Sequence, residues 1–481
     1  MTSINGRSLL RIVSLIMIII AAAFILCIPV ALIYSETVMP FVWSALGALV
    51  PGLLIFGLIP RSASDKVSGK EGYLNVTLAW IILTILGTLP YMISGTIPDF
   101  ANAVFESVSG FTTTGATIFP DVEILPKSIL FWRSLTEWIG GVGFILLVII
   151  ILPNLKVGAF SLFTLESSMK QKILPKTRSL AYYILAIYGG LTLVEVILLR
   201  LGGMNLYESI CHTLTSVSTG GFSTRNTSIT EYSAYIQYIV ACFMFLSGIG
   251  YIAFFLLLKR EFTRLRQYEE IWFYVFFTTA AIVIVTLILY TGTDRSFVLS
   301  LRHGAFQAVA HITGTGFATS NYMEWPAIGW ITMLLLMFAG GCTGSTTGGI
   351  KMARHLVALK NLQLVFIMFQ HHNAVAPIKL NGRIVPENLN LNMLLFIILY
   401  LIITMTGILI ILLTGIPLNE AAGAAVSSMT NVGSGLSDAG NYGHYATLPG
   451  VARITMIVLM IVGRLEIYTV LILFTRSFWR N

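Results

Sequence analysis

Four short tracts of glycine and small polar residues recur along this chain, each beyond a membrane-length apolar run and each followed by an apolar residue. They are Thr112-Thr113-Thr114-Gly115 before Ala116, Ser218-Thr219-Gly220-Gly221 before Phe222, Thr313-Gly314-Thr315-Gly316 before Phe317, and Val432-Gly433-Ser434-Gly435 before Leu436. Lipid offers no partner for peptide N–H and C=O groups, so irregular glycine-rich backbone at membrane depth survives only where protein or water surrounds it. One such tract alone reads as a turn between helices. Four in equivalent places predict four quarters of one pore. A ring of backbone carbonyls from four loops is one device that replaces the hydration shell of a potassium ion.

The membrane setting follows from composition. Only 10% of the 481 residues are charged and 56% are hydrophobic, whereas a soluble domain carries about 25% charged residues. A transmembrane helix needs roughly 20 apolar residues, and runs of that order lie at 12–34, 41–59, 73–95, 129–152, 181–201, 233–258, 271–292, 326–350, 390–414 and 451–474. The first is read as a retained helix rather than a signal peptide, because Glu36 and a second apolar run follow it. The expected fold is an all-α membrane protein of ten transmembrane helices. Two leading helices precede four pseudo-symmetric helix–pore-loop–helix repeats around one central pore. The expected units are 1–70, 71–178, 179–268, 269–386 and 387–481.

Positive residues orient the chain. With both termini cytoplasmic, the inner side collects Arg7, Arg11, Arg61, Lys66, Lys70, the basic loop 156–178, the loop 259–266, Lys360, Lys379, Arg383, Arg476 and Arg480. The outer side holds Lys127, Arg133, Arg200, Arg225, Arg295, Arg302 and Arg453, and Lys351, Arg354 and Arg464 fit neither side. The net charge of +8 is therefore a topology signal, and no nucleic-acid partner is expected. The basic loops suit anionic lipid heads or an acidic cytosolic protein. Cys27, Cys211, Cys242 and Cys342 are far apart with no ligand spacing and read as packing residues.

Upstream of the tracts lie segments free of proline, among them Phe105-Glu106-Ser107-Val108-Ser109, Cys211-His212-Thr213-Leu214-Thr215, Phe306-Gln307-Ala308-Val309-Ala310 and Ala425-Val426-Ser427-Ser428-Met429. They suit half-length buried helices, with Asp99, Asn102, Asn205 and Asn419 near their starts as caps. The negative end of each half-helix would favour a cation on the axis. Aligned on the last glycine, the fourth tract has Val432 where the others have Thr112, Ser218 and Thr313, so a ring of four hydroxyls is not expected.

The eighth apolar run ends in Gly340-Gly341-Cys342-Thr343-Gly344-Ser345-Thr346-Thr347-Gly348-Gly349. Each glycine costs a helix about 1 kcal/mol against alanine, so the helix should break here and the segment line a cavity, as a movable gate under the tracts. It is no phosphate loop, because Ile350 stands where the lysine belongs and no strand precedes it. Arg464 sits inside the last span, where a charge is a functional candidate. Glu137, four residues after Arg133, reads as half of a structural pair. His371 and His372 read as a solvated pair in a cytoplasmic loop.

These residues resemble the Trk/Ktr/HKT superfamily of potassium transporters, most closely the bacterial TrkH type. The likeness rests on the two extra N-terminal helices, on the run from Phe105 to Thr117, and on the tract Gly340–Gly349. It implies four pseudo-symmetric units around one pore, potassium as the transported ion, a homodimer, a cytosolic nucleotide-binding regulatory subunit, and a bacterial inner-membrane location. It also implies that glycine at Gly115, Gly221, Gly316 and Gly435 confers potassium selectivity, and that Arg464 faces the pore below the filter. No bound cofactor is expected. A less selective sodium- or ammonium-conducting relative is the alternative. A membrane-embedded enzyme is disfavoured, because Asp65, Asp99, Asp121, Asp294 and Asp438 lie at or beyond span ends and no catalytic set forms.

Overall fold

A chain that crosses lipid must satisfy its own peptide hydrogen bonds, and the apolar runs do so as α-helices. The computed structural model describes residues 6–59, 69–146, 177–371, 377–435 and 444–479. Residues 147–152 of the fourth apolar run, 156–176 of the basic loop, Asp65, Lys66, His372, Leu436 and Asp438 lie outside the described residues. Helices Gly6–Ile33 and Met39–Leu58 form the leading pair. Gly52 lets them approach closely, since a Cβ there would lie 3.0 Å from that of Met17.

Four repeats follow. Each has a first helix, a half-length pore helix and a second helix. The first helices are Gly69–Gly87, Thr177–Leu201, Glu269–Gly292 and Glu387–Leu412. The pore helices 1 to 4 are Phe100–Phe111, Leu206–Val217, Phe297–Ile312 and Leu418–Thr430. The second helices begin at Lys127, Ala234, Ala327 and Gly450. Among the described residues eight helices are long and apolar enough to cross a membrane, and ten spans result when two bent pairs are each counted once.

The breaks are more numerous than the glycine content suggests. In the third repeat the run expected over 326–350 is helical only as Ala327–Met337; an irregular loop follows, and a separate helix, Met352–Gln370, resumes the chain. In the second repeat Ala234–Ser247 and Tyr251–Leu258 meet at 91°, and in the fourth Gly450–Arg464 and Ile467–Phe474 meet at 110°. All three breaks lie on the second helix of a repeat.

The polarity of the molecule is inverted relative to a soluble protein. Leu54, Leu58, Phe276 and Leu413 are exposed, as lipid-facing side chains can be, while Ser107, Glu106, Thr215, Gln307 and Ser427 are wholly buried on the pore helices. Apolar surface on the outside is stable in lipid, and the polar groups inside are kept by partners they find there.

Candidate ion pathway

The pore helices start where a side chain satisfies their free N–H groups. Asp99 accepts from Asn102 N at 2.9 Å and Asn205 from Glu208 N at 2.8 Å. Ser296 caps the third, and the fourth begins after Pro417 without a side-chain cap. Asn102 and Asn419 lie inside their helices rather than capping them; the Asn102 amide oxygen accepts from Arg453 instead.

At their other ends the four tracts close into a ring. A Cβ added to Gly115 would lie 2.2 Å from the Gly220 carbonyl oxygen, and one on Gly221 1.8 Å from that of Thr315. One on Gly316 would lie 1.8 Å from the Val432 oxygen, and one on Gly433 2.1 Å from that of Thr114. The first tract thus meets the second, the second the third, the third the fourth, and the fourth the first. All four glycines have positive φ, as do the residues two before them, Thr113, Thr219, Gly314 and Asn431. Alternation of left-handed and ordinary backbone turns successive carbonyls to one side, and glycine adopts the left-handed form without a Cβ clash. Threonine in that region is a genuine outlier, held here by its surroundings.

The ring corrects the register read from the sequence. The fourth ring glycine is Gly433 and not Gly435, and the fourth hydroxyl is supplied by Thr430, so the break expected at Val432 is not there. Thr112, Ser218, Thr313 and Thr430 each donate a hydroxyl to the carbonyl four residues back, at 2.7, 2.7, 2.8 and 2.8 Å. The N–H groups of Thr114, Gly220, Thr315 and Val432 each donate to the carbonyl five residues back, at 2.8 to 2.9 Å. Val432-Gly433-Ser434-Gly435 offers two glycines two apart, and Asn431 occupies a left-handed position that Gly314 fills in the third tract. Asparagine tolerates that conformation through its short polar side chain, which hides the match. Gly435 leaves the ring, and its carbonyl accepts from the Tyr322 hydroxyl. A small vestibule of about 80 Å³ opens on Gly115, Gly221, Gly316 and Gly433, with Ser434 on its wall. Beside it, Asn226 donates to Asp121 at 2.7 Å, which holds that carboxyl below its ordinary range.

Buried charge braces the ring from outside. Glu106 on pore helix 1 accepts from Arg133 Nε at 2.7 Å, Thr117 Oγ1 at 3.0 Å and Ile118 N at 3.0 Å. It thereby joins the helix entering the first tract to the extended segment leaving it. The Arg133 guanidinium stacks 4.0 Å over Phe222 and donates to the Ser223 carbonyl at 3.3 Å. The Arg133–Glu137 pair expected from spacing does not form; Glu137 accepts from Phe222 N at 3.2 Å. Asn431 Nδ2 donates to Thr114 Oγ1 at 2.9 Å and to the Met460 carbonyl at 3.0 Å, linking the fourth tract to the first.

Beneath the ring lies the irregular loop between Met337 and Met352. A Cβ on Gly348 would fall 2.1 Å from the Thr430 carbonyl oxygen, so the loop touches the ring's lower end. Cys342 N donates to the Gly248 carbonyl at 2.8 Å and Tyr251 N to that of Gly344 at 3.1 Å. The helix break at Gly248–Gly250 is therefore what accepts this loop. Gly341 N bonds Thr347 Oγ1 at 2.9 Å, and Thr346 Oγ1 reaches the Val217 carbonyl at 3.3 Å.

The three cations that fit neither side of the membrane converge here. Arg464 Nη1 donates to the Thr346 carbonyl at 2.6 Å and its guanidinium sits 4.2 Å from the Phe144 ring centre. It is 1% exposed and does not reach the surface. Lys351 Nζ bonds Thr347 at its carbonyl and at Oγ1. Arg354 pairs with Glu466 at 2.5 Å and stacks on Phe396. Glu270 accepts from Thr343 N at 2.5 Å and Ala353 N at 3.2 Å, tying the middle of the loop to the first turn of the helix after it. Glu106 lies inside the run from Phe105 to Thr117 that carries the resemblance, without being singled out there, while Glu270, Asn431 and Glu466 are not marked by any motif. Their only trace in the sequence is polarity inside or beside an apolar run.

Four helix–pore-loop–helix repeats closed around one axis define a membrane transport protein of the pore-loop class. The model of the TrkH family, described as cation transport protein, matches residues 53–480. The Trk system potassium uptake protein TrkH of Halomonas elongata is 31% identical over 481 residues, covering 99% of both chains. The protein of the same name from Escherichia coli K12 is 33% identical over 486 residues, again with 99% of both covered. The crystal structure of the potassium transporter TrkH from Vibrio parahaemolyticus superposes with a TM-score of 0.90 at 30% identity, over 99% of this chain and 100% of that one. The chain belongs to the TrkH family.

Proposed function

We propose that this protein takes up potassium across the cytoplasmic membrane of a bacterium, with both termini inside. The observation that carries the reading is the closed ring of four tracts with alternating left-handed backbone. In it, the carbonyls of 112–114, 218–220, 313–315 and 430–432 face the axis and stand in for the water shell of a dehydrated ion. Glycine at all four ring positions, and the potassium named for the relatives, favour potassium over sodium or ammonium. Ser434 and Gly435 then fall outside the filter. The carboxyl ends of the four pore helices add negative potential on the axis.

The loop Gly340–Gly349 is the gate in this reading, and Arg464 both raises the barrier to cations and holds the gate through Thr346. The ion is cargo, and no cofactor is required of this chain. The repeats are taken as 71–178, 179–268, 269–386 and 387–481 after the leading unit 1–70, with the first helices of the first two repeats starting slightly ahead of those boundaries, at Gly69 and Thr177. The working particle is a homodimer attached to a cytosolic nucleotide-binding regulatory subunit. The test is rescue of a potassium-uptake-deficient strain at low external potassium. The intact gene is expected to restore growth; failure, with the protein present in the membrane, would overturn the reading.

A further inference from the structure

A second cleft, of about 520 Å³, lies away from the ring between the second and third repeats. Arg295, in the turn after the first helix of the third repeat, and Arg302, two helical turns further on, both line it, and His303 lies beside them. Among the described residues neither guanidinium makes a salt bridge, and Arg295 Nη1 and Arg302 Nε, on half-buried side chains, are shut off from solvent without a hydrogen-bond partner. A buried donor on a cation left unpaired costs more than an ordinary unsatisfied group, so two of them on one cleft call for an acceptor with negative charge. Among the described residues no acceptor on the cleft bonds either of these nitrogens, although Gln237 Oε1 and Thr227 Oγ1 are themselves without a partner there. The Thr319 hydroxyl bonds His303 Nδ1 at 3.0 Å, and the carboxylate of Glu324 accepts from Asn321 Nδ2 at 3.2 Å.

The surrounding surface narrows the ligand. Phe297, Val298 and Leu301, on the pore helix that carries Arg302, are exposed and apolar, so the cleft opens beside a face that lipid covers. Guanidinium groups recognise planar or tetrahedral oxyanions through paired N–H···O bonds. We propose that this cleft is an anion site for a phosphate group, held by Arg295 and Arg302. The phosphate belongs either to an anionic phospholipid headgroup or to free phosphate. The site does not depend on which ion the ring conducts.

The test is thermal unfolding of the purified full-length protein in neutral detergent, titrated separately with inorganic phosphate and with phosphatidylglycerol. The intact protein is expected to show a saturable rise in Tm with one probe. Response to phosphatidylglycerol alone identifies a headgroup; response to inorganic phosphate identifies the free anion. Arg302→Gln and Arg295→Gln should each weaken the apparent affinity about tenfold, as loss of one charge-assisted bond would. Arg302→Lys, which keeps the charge, should lose less and guards against misfolding of the glutamine variants. Absence of a response to either probe, or an equal response in the Arg295→Gln/Arg302→Gln double variant, would overturn the proposal.

Discussion

At the scale of single residues, the ring depends on the absence of a side chain at four places. Gly433 has a left-handed φ, and an added Cβ would meet the Thr114 carbonyl oxygen at 2.1 Å. Gly433→Ser should therefore abolish potassium selectivity, as Gly115→Ser, Gly221→Ser and Gly316→Ser should, while Gly435→Ser keeps most of the uptake. Rubidium uptake with and without competing sodium measures this, and equal damage at 433 and 435 would refute the register. The Glu106–Arg133 pair makes a different prediction. Removing one partner of a buried ion pair costs about 3–5 kcal/mol because the other charge is stranded. Arg133→Ala should thus lower the Tm of the purified protein sharply, and an unchanged Tm would show that the pair does not brace the ring.

At the scale of elements, the breaks in the second helices of the last three repeats form one assembly. The loop under the ring occupies the space that the kink at Gly248–Gly250 opens, and Arg464 and Glu466, at the kink of the fourth repeat, hold its Thr346 carbonyl and Arg354. A loop whose closure rests on a few polar contacts can open locally at far smaller cost than the whole fold. Arg464→Ala removes a bond to the loop and, in the proposed function, a cation from the pathway. Flux should rise about tenfold if the residue contributes about 1.4 kcal/mol of barrier. Stopped-flow flux into vesicles measures it, and an unchanged or lower rate at equal protein content refutes the barrier role. Gly348→Ala should alter conductance, because its methyl group meets the Thr430 carbonyl; normal conductance with normal expression would remove the loop from gating.

At the scale of the whole molecule, four copies of one local plan become a transporter only by meeting. Helix Met352–Gln370 ends in exposed Val365, Phe366, Ile367 and Phe369, and two copies of the chain are expected in the purified particle. Multi-angle light scattering corrected for detergent decides this, since a protein mass of 52.8 kDa would mean a single chain. Nine of the ten expected helical spans, the pore helices and the four glycine tracts were legible in the sequence, because hydropathy and glycine spacing are local properties that a run of neighbours announces by itself. The span expected over 326–350 is short, and Met352–Gln370 was not expected as a span. The third repeat's break was legible for the same reason, while the breaks at 248–250 and 465–466 were not, because their cause is a loop from another repeat. The register of the fourth tract, the partner of Arg133 and the convergence of Lys351, Arg354 and Arg464 under the ring belong to the tertiary structure alone. Asn431 reaches Thr114 across 317 residues, and no local pattern records which distant backbone a side chain will find.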